Sequence, residues 1–129
     1  MQEFHLETIG PSGDCAVLQV TGEIDVYTAA ILRERIRDLA AKGAVHIIAD
    51  LSRVDFLDST GLGAVVAAYK RVRAHDGHLK LVATAPRVKR VFEITNLNRV
   101  VPICDSVEEA CALVADDAAD GPGAGAAAE

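Results

Sequence analysis

Short apolar runs alternate with stretches of helical periodicity along most of this 129-residue chain. Runs rich in Val, Ile and Leu and bounded by Gly or Pro indicate strands, whereas apolar residues spaced three and four apart indicate helices. The expected order is β-β-α-β-α-β-α-β-α. This alternation is typical of a single α/β domain with a mostly parallel, four- to five-stranded sheet and about four helices.

Turn residues and helix caps set the expected limits of these elements. The pattern predicts strands over residues 3–8, 15–21, 44–51, 79–84 and 100–103. Helices are expected to begin near Thr28, Ser59, Pro86 and Ser106. Gly43 and Gly77 stand where the first two helices should end, because glycine takes the left-handed backbone of a C-terminal cap at little cost. Pro11 to Asp14 predicts a turn between the first two strands.

The last part of the chain differs in composition from the rest. No large apolar residue follows Val114, and Asp116, Asp117, Asp120 and Glu129 stand there without Lys or Arg. A segment of this kind cannot bury enough surface to order itself. The sequence therefore predicts one domain over residues 1–115 and a disordered acidic tail over 116–129.

Composition narrows the classes of function. Tryptophan is absent and aromatic residues make up 4% of the chain, which argues against a base-stacking surface for nucleic acid. No apolar run approaches the roughly 20 residues of a membrane span, and the N-terminus has no export-signal pattern. The expected location is the cytoplasm. Cys15, Cys104 and Cys111 are expected to be buried, reduced thiols. His75 and His78 are expected in a solvated turn that binds no metal, and no cofactor is expected.

The segment Asp58-Ser59-Thr60-Gly61 carries most of the functional information. It follows an apolar run and opens a helical pattern, so Ser59 is expected where backbone N–H groups are unpaired and favour an anion. The residues alone leave two interpretations: Ser59 is a helix cap, or it is a site of phosphorylation. The nucleophile elbow of acyl-transfer enzymes does not fit, because Leu57 replaces its first glycine.

Two acidic segments are expected at one edge of the sheet. Residues 22–25 follow the second predicted strand and residues 52–58 follow the third. Because functional residues in such sheets gather beyond the carboxyl ends of the strands, Asp25, Asp55 and Asp58 are predicted to lie near Ser59. A basic surface is also expected, either solvated or docking a protein; it comprises Lys70, Arg71, Arg73, Arg87, Lys89 and Arg90.

Together, Gly22-Glu23-Ile24-Asp25 and Asp58-Ser59-Thr60-Gly61-Leu62-Gly63 resemble the STAS domain of bacterial anti-sigma factor antagonists. The likeness spans residues 3–115 and leaves out the Ala/Gly tail. It implies a regulator of transcription that is not an enzyme. In that family the unphosphorylated antagonist binds an anti-sigma factor with serine kinase activity and frees a sigma factor. Phosphorylation ends the binding, and a phosphoserine phosphatase restores the antagonist.

The resemblance also implies roles for individual residues. Ser59 would be the phosphorylation site, with Thr60 as a minor one. Asp25 and Asp58 would orient the acceptor hydroxyl and contact the kinase, and the apolar contact surface would comprise Leu57, Gly61, Leu62 and Gly63. No direct nucleic acid or membrane partner is implied. The alternatives are a STAS module of a stress-sensing scaffold or of a transporter-regulating complex, and a small enzyme using Ser59.

Overall fold

The computed structural model describes the backbone of residues 3–128 and the side chains of residues 3–117. The strands are β1 (His5–Ser12), β2 (Cys15–Ile24), β3 (His46–Leu57), β4 (Leu79–Val82) and β5 (Ile103–Cys104). The helices are α1 (Val26–Ala41), α2 (Ser59–Ala74), α3 (Pro86–Ile94) and α4 (Val107–Ala128), with a 3-10 turn at Leu97–Arg99.

The five strands form one sheet in the order β1-β2-β3-β4-β5. β1 pairs antiparallel with β2, and every other neighbouring pair is parallel. The predicted α/β class, with a mostly parallel five-stranded sheet and four helices, is therefore confirmed. Parallel sheets are stable when both faces are covered, and the helices here lie on both faces.

The two faces of the sheet carry separate apolar clusters. The larger one joins β2, β3 and β4 to α1, α2 and α3, and includes Leu18, Leu81 and Phe92. The smaller one joins Ile48 and Val82 to α4. Because α1 and α2 lie on the same face and follow neighbouring parallel strands, their N-termini meet at one edge of the sheet.

β2 and β3 are longer than the sequence predicts. Residues 22–24 and 52–57, expected as loops, continue these strands, and the parallel pairing reaches Glu23 with Phe56 and Ile24 with Leu57. Irregularities in the register precede these pairs. In β3 they interrupt the alternation of buried and exposed residues, which explains why the polar letters after Leu51 look like a loop, whereas β2 keeps the alternation throughout.

Other limits differ by a few residues. β1 continues through Pro11 to Ser12 with a break in register after Ile9, so the predicted turn is shorter. α1 begins at Val26 rather than near Thr28, and β4 ends at Val82. The last strand follows the 3-10 turn instead of starting at residue 100.

Glycine is required for different structural reasons after α1 and after α2. Gly43, with φ of +99°, takes the left-handed conformation predicted for it. After α2, Asp76 takes that conformation instead, with φ of +59°. Gly77 is required for another reason: a Cβ atom there would lie 1.9 Å from the carbonyl oxygen of Val45.

The backbone of α4 extends to Ala128, through the segment for which the sequence predicts disorder, and that disorder stays a prediction. Alanine, the strongest helix former, is abundant in this segment. The Asp117 carboxylate lies 2.6 Å from Nζ of Lys80, a buried side chain of β4. The start of the predicted tail therefore contacts the sheet, while the domain limits 1–115 and 116–129 stay a prediction. Among residues 3–128, no helix has the length and apolarity to cross a membrane.

The three cysteines are free thiols in different surroundings. Cys104 is buried and Cys15 half-buried, and burial raises the pKa of both thiols. Cys111 is exposed. Its predicted burial is wrong because the neighbouring Ala110 and the next turn's Val114 form the inner face of α4.

Candidate functional site at the N-termini of the first two helices

The N-termini of α1 and α2 lie side by side at the carboxyl edge of β2 and β3. Ile24 pairs with Leu57 in the sheet, and the Asp58 N–H donates to the carbonyl of Ile24 over 3.2 Å. Asp25 and Asp58 follow these paired residues directly. The two carboxylates are close enough for Asp58 to raise the pKa of Asp25 slightly, against larger effects that lower it.

Asp58, not Ser59, caps α2. Its Oδ1 atom accepts the Gly61 N–H over 2.9 Å and also accepts the Thr60 hydroxyl. Both bonds lower the pKa of Asp58 below its ordinary 3.8, and the bond from Thr60 has the larger effect. The interpretation of Ser59 as the helix cap is thereby removed, because the acceptor that α2 needs is supplied by its neighbour.

Ser59 is the first residue of α2, and its side chain is exposed. Among residues 3–117 its hydroxyl makes no hydrogen bond, whereas the Thr60 hydroxyl is held by Asp58. Of the two predicted acceptor residues, Ser59 is thus the one whose oxygen is free to meet a second molecule. The unpaired N–H groups of the helix start favour an anion at this position.

Asp25 caps α1 in a reciprocal arrangement. Its Oδ1 accepts the N–H groups of Tyr27 and Thr28, each over 3.0 Å, and its own N–H donates to the Thr28 hydroxyl over 2.8 Å. The Thr28 bond is the main reason that the pKa of Asp25 lies below 3.8. In the free protein, the structural role of Asp25 is therefore to cap α1.

Gly61 lets the first turn of α2 lie directly against the end of β2. A Cβ atom on Gly61 would lie 2.7 Å from Cγ2 of Ile24, 2.8 Å from Cδ1 of Leu57 and 2.9 Å from the Ile24 carbonyl oxygen. Gly61 is buried and Leu57 is 6% exposed. The expectation that these two residues form the contact surface needs correction: they shape the site from beneath.

Leu62 and Gly63 are half-buried, so part of each faces outward. Asp55 is exposed on β3, and among residues 3–117 its carboxylate makes no hydrogen bond or ion pair. Its predicted proximity to Ser59 stays a prediction. Asp25 and Asp58 are the acidic residues that the structure brings together.

Three exposed apolar side chains at this edge were missed from the sequence. Val26 and Tyr27 open α1 with 57% and 80% of their surface exposed, and Phe56 at the end of β3 is 40% exposed. The available signal was an apolar pair directly after a capping aspartate. Because the sequence pattern places the start of α1 near Thr28, Val26 and Tyr27 are not expected on the helix.

His75 and His78 lie in different surroundings. His75 Nδ1 lies 3.0 Å from the Arg71 carbonyl at the end of α2, whereas the His78 ring stacks on His46 with centroids 5.4 Å apart. Within the described part of the chain, no group of three or more His, Cys, Asp or Glu residues is arranged to hold a metal ion.

A family model for the STAS domain matches residues 8–110. The chain belongs to the STAS domain family. This STAS domain is 43% identical over 86 residues to the anti-sigma-B factor antagonist of Bacillus subtilis (strain 168). That alignment covers 67% of this chain and 78% of the relative. The resemblance drawn from residues 22–25 and 58–63 is confirmed.

Solved structures give the same result. The STAS domain matches an anti-sigma factor antagonist from Mycobacterium paratuberculosis with a TM-score of 0.79 and 29% identity, covering 87% of this chain and 94% of the other. It matches the antagonist SpoIIAA in its unphosphorylated form with a TM-score of 0.74 and 28% identity, covering 88% and 97%. Bacillus SpoIIAA in its phosphorylated form matches with a TM-score of 0.67 and 27% identity, covering 87% and 99%.

Proposed function

We propose that this STAS domain is an anti-sigma factor antagonist that acts by binding. In its unphosphorylated state it binds an anti-sigma factor with serine kinase activity and so frees a sigma factor. The names of its relatives support this proposal. The observation that carries it is the exposed Ser59 hydroxyl, which is not used for capping and stands at the start of α2.

Phosphorylation of Ser59 is the proposed switch. The kinase transfers the terminal phosphoryl group of ATP to the serine oxygen: the new O–P bond forms, the bond to ADP breaks, and a base of the kinase takes the hydroxyl proton. The resulting phosphate stands at a helix N-terminus, where N–H groups and the helix dipole stabilise negative charge. The fold should therefore survive the modification.

Charge and desolvation explain the loss of binding. A phosphoserine adds about −1.5 to −2 charges at pH 7, beside Asp25 and Asp58, whose lowered pKa values keep them ionised. The exposed apolar surface of Val26, Tyr27 and Phe56 flanks this position. Burying that surface against a partner would also bury the phosphate, which is costly without a matching cation. Hydrolysis by a phosphoserine phosphatase would restore binding.

The two capping aspartates have a second proposed role. In each, the cap uses Oδ1, which leaves Oδ2 available to contact the kinase or to orient the Ser59 hydroxyl during transfer. Leu62 and Gly63 are proposed contacts because both are partly exposed beside Ser59.

A binding experiment with charge variants tests the proposal. The STAS domain, Ser59→Ala and Ser59→Asp are titrated with the anti-sigma factors of the same cell, and Ser52→Asp, the same change at an exposed serine of β3, serves as the matched control. We expect Ser59→Ala to bind like the parent and Ser59→Asp to bind at least tenfold more weakly, with its melting temperature preserved. Equal binding by all three, or capture of a transporter instead of an anti-sigma factor, would refute the proposal.

A further inference from the structure

A groove of about 420 Å³ runs between α1 and α2 on the outer side of the sheet. Small and apolar residues form much of its lining, and these are Ile36, Ala64, Ala67, Ala68 and Ala74. The rest of the lining is basic in type and consists of Arg33, Arg37, Lys70, Arg71 and His75. Within residues 3–117, no Asp or Glu lines this groove.

The groove concentrates positive charge in an acidic chain. The chain has a formal charge of −6, yet four of its 13 Lys and Arg residues line this one groove. Among residues 3–117, none of these four side chains forms an ion pair. Arg33 and Arg37 stand one helical turn apart, a spacing at which like charges destabilise a helix. Destabilising charge repulsion of this kind is typical of functional surfaces.

One end of the groove approaches the Ser59 site. A Cβ atom on Gly63 would lie 3.2 Å from Nη2 of Arg33, and Gly63 follows Ser59 by one helical turn. At the other end the groove reaches His75, directly after α2. A molecule held at the N-termini of α1 and α2 can therefore extend along α2, a helix about 24 Å long.

We propose that this groove binds an acidic, amphipathic helical segment of the anti-sigma factor, an inference that rests on the proposed function. An apolar helix face fits an alanine-rich floor, and carboxylates on its flanks pair with the cations on both sides. Nucleic acid fits less well, because among the described residues no Phe, Tyr or Trp lines the groove for base stacking.

Charge reversal at the far end of the groove tests this inference. Arg37→Glu/Arg71→Glu changes two exposed residues remote from Ser59, and Arg87→Glu/Arg90→Glu makes the same change of charge on exposed positions of α3. Association and dissociation rates with the anti-sigma factor are measured at low and high salt, and folding is checked by thermal melting. Binding of a 20-base-pair DNA duplex and of phosphatidylserine vesicles is measured in parallel.

We expect the groove variant to bind about tenfold more weakly at low salt, mainly through slower association, with a smaller difference at high salt. The α3 variant should stay within about twofold of the parent. If the parent binds in a manner sensitive to Ser59→Asp but the groove variant equals it, the groove proposal is wrong and the proposed function stands. If the parent binds no anti-sigma factor, the proposed function itself fails. Groove-dependent binding of DNA or vesicles would overturn the acidic protein segment as the occupant.

Discussion

The N–H of Asp58 donates a hydrogen bond to the carbonyl of Ile24. Ile24 precedes Asp25, the cap of α1, and Asp58 is the cap of α2, so this bond ties the first residues of the two helices to each other. Ser59, which follows Asp58, is thereby fixed relative to Asp25 without any direct bond of its own. The position of the proposed acceptor depends on how closely α2 approaches the end of β2.

Gly61→Ala should destabilise the domain by about 1–3 kcal/mol, because the added methyl group meets the Ile24 carbonyl and the side chains of Ile24 and Leu57. Gly63→Ala is the matched control in the same helix. Its methyl group meets only the end of the Arg33 side chain, which can move, so it should be neutral or stabilise by up to about 1 kcal/mol. Urea unfolding of both variants checks this. Equal effects would show that α2 does not approach Ile24 closely.

Acid should weaken the domain partly through its capping aspartates. The pKa of Asp58 is lowered by folding, so its contribution is complete above the unfolded value near 3.8 and is lost as the pH falls through the lower folded value. Asn caps a helix well but does not titrate. Asp58→Asn should therefore lose less stability than the parent as the pH falls below 3.8. Parallel stability curves for the two proteins would contradict the cap assignment.

Some elements were predictable because local signals determine them. Pro86 starts α3, Ser59 starts α2, and Gly43 ends α1 as expected. Each follows from backbone preferences of a few adjacent residues. The apolar runs were also enough to predict a mostly parallel sheet, because alternating strands and helices can pack in few ways.

Other features depend on contacts between distant segments. Glu23 and Asp55 look like loop residues until β2 and β3 pair, and the register of that pairing is not encoded locally. The burial of Leu57 and Gly61 follows from the approach of α2 to β2. The Lys80–Asp117 pair joins β4 to the far part of α4, which composition alone assigned to a tail.

Asp117→Ala should destabilise the domain by about 1–3 kcal/mol, because it leaves the buried Lys80 ammonium without its carboxylate partner. Asp116→Ala provides the control, since Asp116 is exposed and lies in the same helix. Denaturant unfolding compares the two variants with the parent. If both variants matched the parent, α4 would not be anchored at Asp117, and the sequence-based expectation for residues 116–129 would be favoured.

Tyr27→Ala and Phe56→Ala should weaken binding to the anti-sigma factor by about tenfold or more, because exposed aromatic side chains are frequent anchors of interfaces. The stability of Tyr27→Ala should change little, since Tyr27 is 80% exposed in the free domain, whereas Phe56→Ala also removes partly buried surface, so its folding is checked by thermal melting. Ile94→Ala removes a side chain that is 69% exposed on α3, and it serves as the control. Calorimetric titration gives the affinities. A loss with Ile94→Ala that equals the loss with Tyr27→Ala would place the interface elsewhere.

The central claim is that Ser59 carries the switch, and mapping the phosphate tests it most directly. The domain is incubated with its anti-sigma factor and ATP, the modified residue is located by mass spectrometry, and the modified protein is then tested for binding. The account predicts one phosphate on Ser59, none on Ser59→Ala, normal labelling of Thr60→Ala, and loss of binding after modification. Phosphate mainly on Thr60, Ser52 or Ser106, or undiminished binding by the Ser59-phosphorylated domain, would contradict it.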